Sequence, residues 1–395
     1  MKIGIVGAGI IGAATARAVQ QRWPRARVWL LDKEAAPALH QTGRNSGVIH
    51  AGVYYPAQSL KARFCRFGLA ATYHFAASRN IPHRRTGKLI VATHPTQQDA
   101  LENLAARATG NGLSLRHLNA REVRDIEPAI QAVAALRVDE TGIVDYPALV
   151  RALVAEFEQA GGRLWLGAEV SRIDESDAGV TLALPEGARL QLDKLVVCAG
   201  LQADRLIAAQ GLAPDFAIVP FRGEYYRLRK GAVRLNHLIY PVPDSALPFL
   251  GVHLTPMVGG EITAGPNAVL GLHREGYTQS VRGQDVWDLL RYPGLWRLAA
   301  GTLRAGAREL RDSLYKRGYL ARLQAYCPGL TLSDLQPWPV GIRAQAVTRK
   351  GELVQDFHFM QSLHCLHVCS APSPAATAAF PIAEHLVEKM EPWFL

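Results

Sequence analysis

The first 32 residues leave this chain little freedom in how it can fold. A short apolar run, Ile3, Ile5 and Val6, leads directly into Gly7, Gly9 and Gly12 in GxGxxG spacing. The pattern predicts a strand, a glycine turn, and a helix from about Ile10 to Arg22 that stops before Pro24. A second buried strand follows in RVWLLDKE and ends at Asp32. In such a unit the first glycine permits the tight turn and the second lets backbone approach a pyrophosphate. The third lets the helix pack close to the strand, with the helix N-terminus facing the phosphates. Asp32 stands 20 residues beyond Gly12, where a carboxylate can bond a ribose hydroxyl. Strand, glycines, helix, strand and acid in this order predict a dinucleotide-binding βαβ unit.

The remaining chain adds bounds to that start. A length of 395 residues fits two domains, or one with large insertions. With 49% hydrophobic and 20% charged residues, the chain can bury a sizeable core and is not expected to be disordered. No run of about 18 apolar residues occurs, so no membrane-spanning helix is expected. The glycine-bearing N-terminus does not read as a signal peptide, and a cytoplasmic location is expected. None of the cysteines (Cys65, Cys198, Cys327, Cys365, Cys369) forms a CxxC pair, which argues against a disulfide framework or a zinc site. A net charge of +10 admits nucleic acid, anionic membrane or acidic substrate as partners. The cations are dispersed and not interleaved with aromatics, so a nucleic-acid module is not expected.

Further along, residues 147–162 read as a helix with Leu149, Leu153 and Phe157 on one face and a Gly-Gly stop. Leu195 to Cys198 reads as a buried strand ending at Ala199-Gly200, and residues 216–270 read as β-rich. Residues 284–326 have helical composition. The chain closes with a strand from Leu366 to Cys369, then Ser373 as a helix N-cap, Pro374 in the first helical position, and Pro381 as a kink or interruption. The expected architecture is therefore an α/β, two-domain chain. A Rossmann-like cofactor domain takes residues 1–80, 145–215 and 340–395. A β-rich substrate domain takes 81–144 and 216–339, with a helical insertion near 284–326.

Directly after the second strand comes QTGRNSGVIHAGVYYP, residues 41–56. A nicotinamide enzyme rarely needs such a stretch there, whereas FAD has to be held along its whole length; this favours FAD. Together with GAGIIG, SLKARFC, VPFRGEYYRL, GVHLTP, GPNAVL, GIRAQ and APSPAAT, the stretch resembles the L-2-hydroxyglutarate oxidase/dehydrogenase family. That family belongs to the FAD-dependent oxidoreductases related to D-amino acid oxidase, and the resemblance extends over essentially the whole chain.

The resemblance implies tightly bound FAD and oxidation of L-2-hydroxyglutarate to 2-oxoglutarate, with electrons passed to a quinone or oxygen. It also implies a peripheral position at the inner membrane. It places Arg44, Asn45 and Ser46 near the cofactor beside Gly7, Gly9, Gly12 and Asp32, and adds Val170, Gly200, Pro372 and Ser373 to the cofactor set. Gly47, Ala51 and Gly52 would leave room for the isoalloxazine ring, and His50 and Tyr54 would face the substrate.

The reaction needs a base for the hydroxyl proton, and a neutral imidazole suits it; His50 and His253 are the candidates. A dianionic substrate needs cations, and Arg343 is the first choice as a bidentate clamp, with Lys61 and Arg222 behind it. The segment SAPSPAAT would bring a helix N-terminus to the reduced flavin's anionic edge. An amine or amino-acid oxidase of the sarcosine type is the alternative, with the same fold and hydride chemistry. From Arg291 to Arg322, eight basic side chains (among them Arg304, Arg308 and Arg311) face two acidic ones, with aromatics at helical spacing. That composition fits docking on an anionic membrane.

Overall fold

Strand Lys2–Val6 lies at the centre of a six-stranded sheet, with Arg27–Leu31 and Lys194–Val197 parallel on either side. Arg163–Trp165 extends the sheet beyond Arg27–Leu31, and Cys365–Ser370 beyond Lys194–Val197. Antiparallel His358–Gln361 closes the latter edge. The computed structural model describes residues 1–243, 251–278, 280–301 and 315–394. Strands of this sheet are apolar on consecutive residues because both faces are covered. Helices Ile10–Arg22, Tyr146–Gln159 and Ala379–Met390 bury Val19, Leu149, Leu153, Ile382 and Leu386 against one face. A three-stranded meander (Arg172–Ser176, Gly179–Ala183, Arg189–Leu192) packs Ile173, Val180 and Leu182 on the other.

The glycine turn works as the spacing demands. A side chain at Gly12 would begin 1.8 Å from the Gly7 carbonyl oxygen, so only glycine lets the helix sit this close. Gly7 itself adopts φ +102, and a side chain there would meet the Cys198 carbonyl oxygen at 2.4 Å.

The second body is a nine-stranded sheet. Its longest pair joins Phe216–Leu228 antiparallel to Leu335–Thr348. From there the order runs through Ile262–Gly265, His253–Pro256 and Leu238–Pro241 to Lys88–Ala92, Ala134–Val138 and Arg116–Asn119. Lys88–Ala92 runs parallel to Leu238–Pro241, which carries Tyr240 opposite Ile90. A further small sheet of Val48–Ile49, Gly142–Val144 and His83–Arg84 joins the two bodies.

Several details differ from the sequence reading. Strand Leu335–Thr348 crosses residue 340, because its pairing with Phe216–Leu228 holds it in the large sheet to its end. Ser373 is not the cap of the last helix. Residues 372–378 form turns instead (Ala375 N–H to Pro372 O, 3.1 Å; Ala378 N–H to Pro374 O, 3.0 Å), and the helix begins at Ala379 with Ala378 as its cap residue. Pro381 then falls in the first turn, where its missing N–H has no partner to lose, and it neither kinks nor interrupts the helix. Of the expected helical insertion, Gly283–Arg291 and Lys316–Gln324 are seen. Residues 302–314, with Arg304, Arg308 and Arg311, lie outside the described residues. Among the described residues no helix is long and apolar enough to cross a membrane.

Two alanine substitutions test the glycine argument. Gly12→Ala should destabilise by about 1–3 kcal/mol, because backbone must move to clear the new Cβ. At Gly110, near the end of helix Gln98–Gly110, a Cβ would meet nothing within 4 Å. Gly110→Ala should therefore be neutral or stabilise by up to about 1 kcal/mol. Thermal melts of the two variants against the parent measure the difference.

Candidate active site

Between the two sheets lies a cleft of about 1190 Å³. Most of the candidates named above line it: Gly7, Gly9, Gly12, Asp32, Arg44, Asn45, Ser46, Val170, Gly200, Pro372, Ser373, His50, Tyr54, His253 and Arg343. Lys61 lines it as well. Arg222 is not in the lining; its guanidinium turns to the Thr278 carbonyl (2.7 Å) and to Glu224 (3.6 Å).

The sheet end carries the dinucleotide-type features. Helix Ile10–Arg22 has no side chain capping it from Gly9 and no acid in its first turn. Thr42 accepts the Ile10 N–H at 3.0 Å, while Ile11 and Gly12 border the cleft with their N–H groups in the uncapped first turn. A Cβ at Gly9 would meet only the Thr42 hydroxyl, at 3.4 Å, so backbone there is open to a ligand. This end suits a pyrophosphate, and the residues present fit FAD. Asp32 has a second task that the motif did not announce. Its carboxylate accepts N–H groups from Ala8 (2.6 Å) and Glu34 (2.9 Å), which ties the glycine turn to the end of the second strand. Lone pairs remain on both oxygens for a ribose hydroxyl.

Residues 41–56 divide their work differently from the expectation. Asn45 is occupied in folding its own loop: its amide donates to Gln41 O (3.2 Å) and Thr42 O (2.8 Å), and its oxygen accepts from Gly47 N–H (2.7 Å). The Arg44 guanidinium lies 3.8 Å from the centre of the Tyr277 ring, and Tyr277 bonds His40 at 2.7 Å. Lys33 pairs with Glu275 beside them. The segment around 275–277 thus closes over the loop from the other body. Gly47, Ala51 and Gly52 do not line the cleft. Ala51 is buried in an apolar cluster with Val53 and Ile90, and Gly52 takes φ +100 against Cys65, so their small size serves packing. The C-terminal contribution comes from the turns at Ala371–Ala376 and not from the helix N-terminus expected there, because the helix begins later. Thr377 anchors this region: its hydroxyl meets the His50 N–H (3.0 Å) and the Tyr146 hydroxyl (3.1 Å).

The other end of the cleft is a chamber of imidazoles, phenols and cations. His253 is 5% exposed and stacks on Tyr240 with ring centres 3.9 Å apart and planes 16° apart. Its Nδ1 lies 3.1 Å from the Gly251 carbonyl oxygen, which only accepts, so Nδ1 carries the proton. The lone pair is therefore on Nε2, and Nε2 has no hydrogen-bond partner among the described residues. Burial lowers His253 to about 3, with Arg343 and Lys88 adding to the effect. Burial likewise lowers His50 to about 3, assisted by Lys88, His253 and Arg343. Both rings are neutral at pH 7. The Tyr54 hydroxyl is also buried without a partner among the described residues, and desolvation holds Tyr54, Tyr55 and Tyr240 protonated. Lys88 was missed in the sequence reading; a lone charge heading an apolar strand in GKLIVA was the available signal.

Comparison with known proteins agrees with this layout. A family model described as FAD dependent oxidoreductase matches residues 2–389. The chain is 48% identical to an L-2-hydroxyglutarate dehydrogenase of Salmonella houtenae, over 98% of this chain and 92% of that protein. It is 38% identical to the mitochondrial L-2-hydroxyglutarate dehydrogenase of Homo sapiens, over 99% and 88%. Among solved structures, an FAD-bound L-alpha-glycerophosphate oxidase from Mycoplasma pneumoniae superposes with a TM-score of 0.80 at 22% identity, covering 98% of this chain and 94% of that one. A glycine oxidase from Geobacillus kaustophilus gives 0.74 at 19% identity, covering 99% and 94%.

The two depressed histidines carry a stability consequence. Unfolding returns each to the ordinary value of 6.5, so between pH 6.5 and 3 the unfolded chain binds more protons than the folded one. Their contribution to stability is full above pH 6.5 and is lost as pH falls towards 3. Melting temperature should drop measurably between pH 7 and pH 5, above the range where the carboxylates titrate. His253→Gln should flatten that drop in a pH series of thermal melts.

Proposed function

Because the chain belongs to the FAD-dependent oxidoreductase family, we propose that it oxidises L-2-hydroxyglutarate to 2-oxoglutarate. Bound FAD supplies the acceptor for the hydride that leaves C2. Everything else falls to the chain's own residues. The observation that carries the reading is the pairing of a buried, unpartnered imidazole lone pair with a cation-lined chamber. His253 Nε2 takes the hydroxyl proton as the C2–O bond becomes a carbonyl, and its Nδ1–H bond to Gly251 fixes the tautomer that makes this possible. His50, neutral as well, is the second acceptor in the chamber. Arg343 receives a substrate carboxylate, and its guanidinium suits a two-point contact that an ammonium cannot make. The Tyr54 hydroxyl donates to a substrate oxygen, which gives that buried group the partner it otherwise lacks. The names of the relatives at 48% and 38% identity support the choice of substrate.

The electrons leave, in this reading, to a quinone, with the protein resting on the cytoplasmic side of an anionic membrane. Support comes from an exposed patch on the insertion: Trp287 and Trp296 are each 55% exposed, with Leu290, Val281 and Tyr315 also open to solvent. Arg291 lies over Trp287 at 4.5 Å, and Arg297 is exposed nearby. Tryptophan beside arginine suits an interface between apolar chains and anionic headgroups.

Anaerobic addition of L-2-hydroxyglutarate should bleach the bound flavin, whereas sarcosine and common amino acids should leave it oxidised; bleaching by an amine alone would move the reading to C–N oxidation. His253→Ala should slow flavin reduction by about 10²–10⁴. Arg343→Lys should weaken kcat/KM by about 2–5 kcal/mol. For the membrane, co-sedimentation with anionic vesicles should be lost in 0.5 M salt and in a Trp287→Ser, Trp296→Ser double variant. Failure to bind anionic vesicles at low salt would refute the docking.

A further inference from the structure

Lys88 has no part in the chemistry described so far, yet its surroundings are unusual for a lysine. It is 1% exposed, and no carboxylate of the described residues pairs with it. It heads strand Lys88–Ala92, hydrogen-bonded between Leu238–Pro241 and Ala134–Val138, and shares a face with Ile90 and Ala92. That face turns towards the cluster holding Val53 and Tyr54. Its ammonium sits 4.7 Å from the Tyr54 ring centre and 4.8 Å from the Tyr240 ring centre. Tyr240 in turn stacks on His253. A lysine without a carboxylate in such a place is costly, and the two ring faces return only part of that cost.

We propose that Lys88 is a positioning residue for the reaction: wedged between Tyr54 and Tyr240, its ammonium braces the ring stack behind His253, keeps protons off both histidines and draws the dianionic substrate into the chamber. Lys88 does not line the cleft, so it acts through these neighbours and through its field. The groups that face it are His50 and Tyr54 from the loop before helix Leu60–Ser78, Cys65 from that helix, Tyr240 from Leu238–Pro241 and His253 from His253–Pro256; Arg343 from Leu335–Thr348 acts on the same two histidines. Tyr54, Tyr240 and Cys65 are held protonated by burial, Cys65 at about 12, so none is an anion at neutral pH. Lys88 itself is lowered to about 8 by burial. Most of its charge is present at pH 7 and is lost as pH rises through 8, and the field goes with it. Lys61, on the cleft wall, is also lowered to about 8 by burial, so it has to be separated by experiment.

The test rests on the substrate reading above but is read by equilibrium binding. The dissociation constant of 2-oxoglutarate for the flavin-loaded protein is measured by calorimetry from pH 6 to 9.5, for the wild type, Lys88→Met, Lys88→Arg and Lys61→Met. The wild type should bind at least tenfold more weakly at pH 9.5 than at pH 7. Lys88→Met should bind at least tenfold more weakly than wild type at pH 7 and lose the alkaline fall. Lys88→Arg should keep the pH 7 affinity and also lose the fall, since the guanidinium stays charged. Lys61→Met should retain the fall. The acid limb of anaerobic flavin reduction should move to higher pH in Lys88→Met and stay put in Lys88→Arg. A flat wild-type binding profile overturns the proposal without any variant, and so does an alkaline fall that survives in Lys88→Met or disappears in Lys61→Met. If Lys88→Met does not hold flavin, Lys88→Arg decides: a persisting fall overturns. If L-2-hydroxyglutarate leaves the wild-type flavin oxidised, the substrate reading has failed and not this one. The same profiles, with the same criteria, are then taken with the substrate that does bleach it.

Discussion

The Gly7 carbonyl oxygen lies where a side chain at residue 12 would begin, and that contact sets the distance between the first helix and the central strand. From it follow the position of the helix N-terminus at the cleft, the approach of Cys198 to Gly7 and the reach of Asp32 to the Ala8 N–H. The sheet order then places residues far apart in sequence around one opening. Cys365–Ser370 delivers the turns at 371–376, and the small sheet at Val48–Ile49 ties the loop carrying His50 to strand Gly142–Val144. The cofactor half is built from backbone, with glycine and small residues, because a dinucleotide is recognised mainly through its phosphates.

The other end of the cleft depends on the opposite strategy. It buries side chains that water would otherwise charge or satisfy. His50, His253, Lys88 and three tyrosines share a region where desolvation is the largest influence on each. Neutral imidazoles stay competent as bases at pH 7, and a cation with no carboxylate partner leaves its field for the substrate. The unpartnered Nε2 of His253 and hydroxyl of Tyr54 are costs in the free protein that a bound substrate can remove.

How much of this was legible in the sequence follows from the range of each interaction. The glycine unit, its helix and the second strand were readable because their determinants are local, within 32 residues. The residues that the resemblance proposed for the cofactor line one cleft with His253, since matched motifs bring the family's spatial arrangement with them. What failed was what depends on contacts across the fold. Ser373 looked like a cap, but the turn bonds at Ala375 and Ala378 take its place. Arg222 looked like a substrate cation until Glu224 and Thr278 were seen to hold it. Gly52 looked like room for a ring and is room for Cys65. Lys88 was invisible as a functional residue because Tyr54 and Tyr240 reach it from distant segments.

The central claim is that a neutral buried histidine, beside a buried cationic field, takes the hydroxyl proton of a 2-hydroxy dicarboxylate while bound FAD would accept the hydride from C2. It is tested most directly by anaerobic stopped-flow reduction of the bound flavin with L-2-hydroxyglutarate carrying hydrogen or deuterium at C2, from pH 5 to 7.5. The account predicts flavin reduction with a primary isotope effect and a rate that stays constant across that range, because His253 is already unprotonated throughout. Absence of flavin reduction, or a reduction rate that falls through an apparent pKa near the ordinary histidine value of 6.5, would contradict it.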